Sequence, residues 1–159
     1  IFRVHIHSTY QWLYLVGSFS LNSQKRTYRI QMATNLNKYL HSLLGVFFIF
    51  AGANHFMNSD FYLPLIPDYL PAPLLLNLIV GLIEFGLGVL LFVPGYSKTA
   101  CYGIIVVLIL LIPSHIYFIQ IGSCVEDGLC IAEWFAYLRL LLGQPILIFW
   151  AWWVSRIKT

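Results

Sequence analysis

The stretch LIVGLIEFGLGVLLFV, residues 78–93, places one carboxylate, Glu84, in a run that is otherwise apolar or glycine. Apolar runs of about 20 residues are typical of helices that span a bilayer, because backbone N–H and C=O groups find no water there. A charge at such depth costs at least about 2.5–3.5 kcal/mol on insertion scales, so it faces the interior of the helix bundle and pairs. We therefore expect Glu84 to be a buried acid with a partner.

The composition is that of a membrane protein. Of 159 residues, 60% are hydrophobic, 17% aromatic and only 9% charged, whereas soluble domains carry about 25% charged residues. The sequence has no Gly-rich phosphate loop, G-x-S-x-G elbow or H-E-x-x-H motif, so nothing indicates a soluble-type hydrolase or nucleotide enzyme. A basic patch interleaved with aromatic residues is also missing from the main body, and we expect no nucleic-acid partner.

Four apolar segments of bilayer-spanning length follow one another along the chain. Loops rich in proline and glycine separate them, and such residues end helices. This pattern predicts an all-α membrane protein, a four-transmembrane-helix bundle with the lipid bilayer as its first partner. The spans lie at about 38–56, 71–93, 99–119 and 131–154.

The basic residues predict the orientation of the bundle. Lysine and arginine are retained on the cytoplasmic side of a membrane. The loops at 57–70 and 120–130 contain acids and no base. We therefore expect both termini of a chain starting at Met32 to be cytoplasmic. The bases that flank the spans all fall on one side: Lys38, Lys98, Arg156 and Lys158.

Residues 1–31 differ from the remainder, because they carry four bases and no acid. The chain opens on Ile1, and Met32 stands just before the first strong apolar segment. We expect a basic N-terminal extension at 1–31 that is not part of the fold, and a membrane domain at 32–159. A signal peptide is the alternative, but the apolar run 12–19 is interrupted by glycine and serine and lacks a convincing cleavage site.

Two helices carry stripes of small and polar residues that predict close packing. Small residues on a stripe let a second helix approach closely within a membrane. In the second span the stripe recurs at i, i+4, i+7 and i+11, one face of a helix. Its members are Asn77, Gly81, Glu84 and Gly88. The first span has a matching face with His41, Gly45, Phe48, Gly52 and His55.

Arg139 is the expected partner of Glu84, because it is the only base in the interior of a predicted span. Glu84 comes about thirteen residues after Pro71, roughly 20 Å deep, and Arg139 is ~12 Å deep in its helix. The long guanidinium side chain can reach further than its backbone depth suggests. With His55 and His115 near the outer helix ends, the sequence predicts a polar cluster that opens outward, with Glu84 at the bottom.

Other interpretations of these residues stay open. The pair of Glu84 and Arg139 can serve only to fix the helix register, and the two histidines can be interfacial. A metal site made of His55, His115 and Glu84 has suitable ligands, but their depths differ and no spacing is diagnostic. We therefore predict no metal.

Cys124 and Cys130 lie in the predicted outer loop, in GSCVEDGLC. A disulfide between them would close a small loop in an oxidising compartment. Their spacing is not the C-x-x-C of thiol-disulfide catalysts, so structural pairing is favoured over redox exchange.

Five segments together resemble the DoxX-like family of membrane proteins. They are GANHF at 52–56, PDYLP at 67–71, GLIEFGLG at 81–88, IPSHIY at 112–117 and LRLLLGQPILIFWAW at 138–152. The resemblance implies a four-helix integral protein, usually of the bacterial cytoplasmic membrane. The family takes its name from a subunit associated with thiosulfate:quinone oxidation, and other members are linked to redox functions. The family motif falls on Gly52, His55, Phe56, Gly81, Glu84, Gly88, Pro113, His115, Arg139 and Gln144.

From the cluster and the resemblance we expect a redox-associated membrane subunit that holds a quinone-like or other small apolar ligand between its helices. The chain has no haem, flavin or iron-sulfur motif, so electrons would come from a membrane or redox protein partner. It is then not a complete enzyme alone, and a homo-oligomer is a further possibility. The alternative is a non-enzymatic membrane scaffold or assembly factor. The polar cluster candidates are His55, Asn77, Glu84, His115, Arg139 and Gln144.

Overall fold

The fold consists of helices. The computed structural model describes residues 3–125 and 130–157. A 3-10 turn, Leu63–Leu65, precedes the second span, and a π-helical turn, Arg139–Gly143, interrupts the fourth. Within these ranges an isolated bridge between Cys124 and Cys130 is the sole strand-like pairing. The α-helices are α1 Arg3–Met57, α2 Ser59–Tyr62, α3 Pro73–Leu90, α4 Ser97–Leu110, α5 Ile112–Gln120, α6 Glu133–Leu138 and α7 Gln144–Ser155.

The prediction of four membrane spans is confirmed. Four helical stretches are long and apolar enough to cross a bilayer: Ser23–Met57, Pro73–Leu90, Ser97–Gln120 and Glu133–Ser155. Large apolar side chains are exposed on their surfaces, including Phe50 at 71% and Leu82 at 64%. Such a surface suits lipid rather than water, so the chain is an integral membrane protein.

The chain divides into two compact units, Ile1–Tyr39 and Leu40–Thr159. The expected boundary between residues 31 and 32 lies eight residues before this division, and α1 runs through both positions. The second unit contains the end of α1 and all later helices. Three residues used for the orientation prediction lie outside the described part of the chain: Glu126, Asp127 and Lys158.

α1 and α3 pack with their backbones in close approach. A Cβ atom on Gly52 would collide with the backbone of Gly81 and Phe85, and one on Gly81 would collide with the Cβ of His55. The buried residues of α3 are the predicted stripe, Asn77, Gly81, Glu84 and Gly88. The predicted packing of these two helices is confirmed, and it depends on positions without side chains.

Two clusters of buried apolar side chains hold the second unit together. The larger joins the end of α3, the first half of the third span and α7 to α1. It consists of Leu44, Phe48, Leu91, Ala100, Cys101, Ile104, Leu108, Ala151 and Val154. The smaller consists of Leu65, Phe118 and Ala136. Members of both clusters line one cavity, which therefore lies between them.

We predict that Gly52→Ala lowers the free energy of unfolding by about 1–3 kcal/mol, as expected when a close-packed contact is overfilled. Gly86→Ala is the matched control, because Gly86 lies on α3 with nothing within 4 Å of an added Cβ. It should leave stability unchanged or slightly raised. The measurement is unfolding of both purified variants in mixed micelles. Equal stability of the two variants would contradict the close approach.

Candidate functional site

A cavity of about 580 Å³ lies among α1, α3, α5 and α7 and beneath the segment that joins α1 to α3. Its size is typical of small-molecule sites. The walls are mainly aliphatic and aromatic side chains, and the polar groups are few. All six residues that the sequence singled out line it: His55, Asn77, Glu84, His115, Arg139 and Gln144.

His55 lies between Asn77 and Glu84, which are two turns apart on α3. Its Nδ1 is 2.7 Å from Oδ1 of Asn77, and Nδ2 of Asn77 donates to the backbone carbonyl of His55 at 2.9 Å. Its Nε2 is 3.5 Å from Oε2 of Glu84. All three residues are less than 10% exposed. The close contact of His55 with Gly81 sets this position.

The partners of His55 determine where its protons lie. An amide oxygen can only accept a hydrogen bond, so Nδ1 of His55 carries a proton and donates it to Asn77. The second nitrogen, Nε2, then faces a carboxylate oxygen. A proton on either atom would make this contact favourable, since two lone pairs repel each other in a low-dielectric site.

Glu84 therefore has a different partner from the one that the sequence predicted. Within the described ranges, His55 is the group that forms a salt bridge with Glu84, and the expected ion pair with Arg139 is absent. Arg139 lines the same cavity, beyond salt-bridge distance of the acid but still attracted by its charge. The prediction was wrong because each depth was measured from the end of its own helix, as though all helix ends were level.

Tyr62 is a site residue that sequence reasoning missed. Its ring stacks on His55 with centroids 3.8 Å apart and an angle of 20° between the planes. Its hydroxyl accepts a hydrogen bond from Nδ2 of Asn54 at 2.7 Å. Asn54 lies one residue before His55, so the end of α1 positions both the imidazole ring and the tyrosine ring that stacks on it. In the sequence, the only signal for this contact was the pair of adjacent polar residues, Asn54 and His55, at the end of the first span.

His115 is held by the interruption of the third span. Pro113 has no N–H group and follows the break at Leu111 between α4 and α5. Nδ1 of His115 donates to the carbonyl of Leu111 at 2.8 Å. The amide nitrogen of Gln144 lies beside the ring, 3.5 Å from Nδ1 and 3.4 Å from Nε2. The helix break and the fourth span therefore fix the position of His115.

The π-helical turn brings Arg139 and Gln144 to the same cavity. Residues five apart on an ordinary α-helix point about 140° away from each other. Here the backbone N–H of Gln144 bonds to the carbonyl of Arg139, which widens the helix by one residue. Pro145 follows at once and cannot donate a backbone bond. The sequence spacing alone does not indicate this widened turn.

The segment between α1 and α3 is attached to α5 at two points above the cavity. The hydroxyl of Ser114 donates to the carbonyl of Leu65 at 2.6 Å, and the hydroxyl of Tyr117 donates to Asp68 at 2.8 Å. The segment contributes Tyr62, Leu65 and its neighbours to the lining. These two hydrogen bonds therefore fix one wall of the cavity.

Two other predictions from the sequence concern a disulfide and a metal site. Cys124 and Cys130 form the expected disulfide beyond the end of α5, and neither lines the cavity. As for a metal, the described ranges contain no group of three histidine, cysteine or acidic side chains placed to hold an ion.

Comparison with known protein families finds a match of unknown function. A family model described as a domain of unknown function (DUF8561) matches residues 44–155. The matched region contains every one of the six cavity residues and excludes the whole of the first compact unit. No curated protein and no solved structure matches the chain.

We predict that Asn77→Leu, a change of similar shape, frees the His55 ring from its fixed tautomer. It leaves the Nδ1 proton of His55 without its acceptor, which should cost about 1–3 kcal/mol of stability. The measurement is ¹⁵N NMR of the labelled imidazole in micelles. Asn58→Leu is the control, because Asn58 is exposed and bonds Asn54 instead. An unchanged His55 spectrum in Asn77→Leu would contradict the assignment.

Proposed function

The chain belongs to the DUF8561 family, a domain of unknown function, and we propose that it holds a quinone-like or other small, largely apolar ligand in its cavity. The observation that carries this proposal is the convergence of six polar side chains from separate helices on one apolar cavity. Cavities with apolar walls and a few fixed polar groups are typical of ligand sites.

The lining residues fit a quinone. Its apolar ring and the start of its tail match aliphatic walls such as Leu108, Val80 and Leu147. Its carbonyl oxygens accept hydrogen bonds, which Arg139 and a proton held by His55 or Glu84 would donate. Tyr62 covers the His55 ring on one face, which keeps water away from that proton.

We further propose a redox-associated role, as the resemblance to DoxX-like proteins implies. A bound quinone would take up two electrons and two protons on reduction to the quinol. The electrons would come from a membrane redox protein, since the sequence has no motif for a redox group. The residues of this chain bind the ring, exclude water and hold a proton at Nε2 of His55 or Oε2 of Glu84.

The proposed location is the bacterial cytoplasmic membrane, with both termini of the chain from Met32 in the cytoplasm. The flanking bases Lys38, Lys98 and Arg156 support it, since they would all face inward. The segment between α1 and α3 then lies on the outer side, and the cavity lies near that surface.

A non-enzymatic scaffold or assembly factor is the second candidate. The apolar outer surface favours it, because side chains such as Phe50 and Leu141 are 71% and 65% exposed and can meet another membrane protein as well as lipid. In this case the polar groups would only fix helix packing.

The orientation predicts which positions a membrane-impermeant maleimide reaches in intact cells. Tyr69→Cys should be labelled from outside, and Lys98→Cys only after permeabilisation, since the two lie on opposite sides. Both residues are exposed. Cys101 is buried, and the other two cysteines are paired, so background labelling should be low. The reverse labelling pattern would show that the chain has the opposite orientation in the membrane.

The ligand proposal predicts that a quinone co-purifies with the protein in mild detergent. Mass spectrometry of organic extracts should show it with the natural sequence and several-fold less with Glu84→Gln at equal folded amounts. Glutamine keeps the shape of the side chain and removes the carboxylate that faces His55.

Two variants of α3 provide the matched control. Val80→Phe fills the cavity that Val80 lines and should also deplete the quinone, whereas Ile79→Phe lies on the exposed face and should not. If no small molecule is enriched with any folded variant, the ligand-holding role is lost and the scaffold role takes its place. If Glu84→Gln alone fails to fold, the comparison of Val80→Phe with Ile79→Phe tests the ligand proposal in its place.

A further inference from the structure

The cavity reaches the surface of the bundle at Leu110. This residue is the last of α4 and lines the cavity, yet its side chain is 71% exposed. A side chain that borders a cavity and is also this exposed lies at the edge of the cavity and faces out of the bundle. Leu110 therefore marks an opening in the cavity wall.

The helix faces identify the other side of this opening. An added Cβ on Gly103 would lie 2.5 Å from the side chain of Leu87, so α4 and α3 touch at that level. Residues at i and i+7 lie on one helix face, about two turns apart. Leu110 follows Gly103 at this spacing, and Val80 precedes Leu87 at the same spacing. Because the two helices are antiparallel, both steps lead outward, and Leu110 faces Val80 across the opening.

The third span separates from α3 above this level. Among the described residues, α3 packs against α4 but not against α5. The helix break at Leu111, followed by Pro113, redirects the chain between α4 and α5. The 3-10 turn Leu63–Leu65 contacts both α3 and α5 and bounds the gap on its outer side. The contact of Leu87 with Gly103 bounds it on the inner side.

The opening faces the hydrocarbon of the bilayer. Leu110 lies about ten residues before the end of the third span at Gln120, which corresponds to ~15 Å of helix. The surface beside the opening is apolar, as expected of helices in contact with lipid. Its exposed side chains on the two helices are Ile79, Ile83, Val106 and Ile109.

We propose that the ligand of this cavity is a single-chain lipid, with its head group in the cavity and its apolar chain passing between Val80 and Leu110 into the bilayer. This inference rests on the proposed function, because it assumes that the cavity holds a ligand. It specifies the ligand as a membrane lipid that enters from the side. For a quinone, the chain is an isoprenoid tail on the ring.

The distribution of polar and apolar groups fits such a molecule. The polar side chains of the lining can bind a head group, whereas the lining of α3 and the third span near the opening is apolar. A chain in this position would contact apolar side chains and then lipid, so none of its surface would meet water. The apolar residues that it would pass include Leu76, Val80, Leu108 and Leu111.

Tyr69 offers a second entrance. It lies on the segment between α1 and α3, lines the cavity and is 73% exposed. A ligand without a chain that enters beside Tyr69 needs no gap between α3 and the third span. The two routes therefore differ in whether binding depends on the side chain at position 110.

The test compares two probes with one head group on the full chain in phosphatidylcholine nanodiscs. Menadione carries no chain, and its derivative with a geranylgeranyl chain on the ring carries the proposed one. Mass spectrometry measures the probe held in excess of empty nanodiscs with the same lipid content, which corrects for probe dissolved in lipid. The natural sequence should hold both probes.

A tryptophan at the opening should separate the two probes. Leu110→Trp should weaken binding of the chain-bearing probe about tenfold or more, because the larger side chain overfills the gap, and should leave menadione binding unchanged. Ile109→Trp is the matched control, since Ile109 is 50% exposed but does not line the cavity. It should bind both probes as the natural sequence does.

A crosslinking probe keeps the inference testable if Leu110→Trp does not fold. A diazirine on the chain of the quinone should label peptides that contain Val80 or Leu110 in the natural sequence, and excess unlabelled probe should prevent this labelling. Labelling that excess probe does not prevent, or displaceable labelling at Tyr69 instead, would overturn the inference.

The outcomes distinguish the inference from the proposed function. If the natural sequence holds menadione but not the chain-bearing probe, the inference fails and the proposed function stands. It fails in the same way if folded Leu110→Trp keeps the chain-bearing probe, loses both probes equally or behaves like Ile109→Trp. If the natural sequence holds neither probe, the proposed function fails and the inference fails with it.

Discussion

The approach of α1 to α3 over bare glycine backbone is the contact on which the polar interior depends. Gly52 and Gly81 leave no room for side chains, so His55 is pressed against α3 between Asn77 and Glu84. At a normal helix separation its ring would not reach both. Glu84 would then be an acid within hydrocarbon without its partner, a state that membrane helices avoid. The close packing of α1 against α3 and the contact between His55 and Glu84 therefore depend on each other.

Irregular backbone gathers around the cavity. α1 ends just beyond His55, the third span breaks at Leu111, and the fourth widens into a π-helical turn at Arg139–Gly143. Non-helical backbone at membrane depth is tolerated where it is buried in protein or lines a cavity. Each interruption also has a chemical consequence, since the Leu111 carbonyl orients His115 and the wide turn aligns Arg139 with Gln144. The interruptions of the helices are therefore concentrated around the cavity.

The sequence predicted the helices and the members of the cluster better than it predicted their contacts. Apolar segment length determines a span, and spacing along one helix determines its buried stripe, so Asn77 and Glu84 could be assigned inward. Relative depth between helices depends on how the connecting segments fold, which no periodicity reports, and Arg139 was wrongly given to Glu84 for that reason. The matching glycine faces did contain the answer, because pairing Gly52 with Gly81 places His55 next to the acid.

The position of Arg139 bears on whether the polar residues bind a ligand or only fix the packing of the helices. Were the polar residues present only to fix helix register, a direct pair of Glu84 with Arg139 would satisfy both charges. The structure pairs the acid with His55 instead and leaves the guanidinium at the cavity wall. Arg139 is exposed and lines the cavity, so its guanidinium is accessible to a group that enters the cavity.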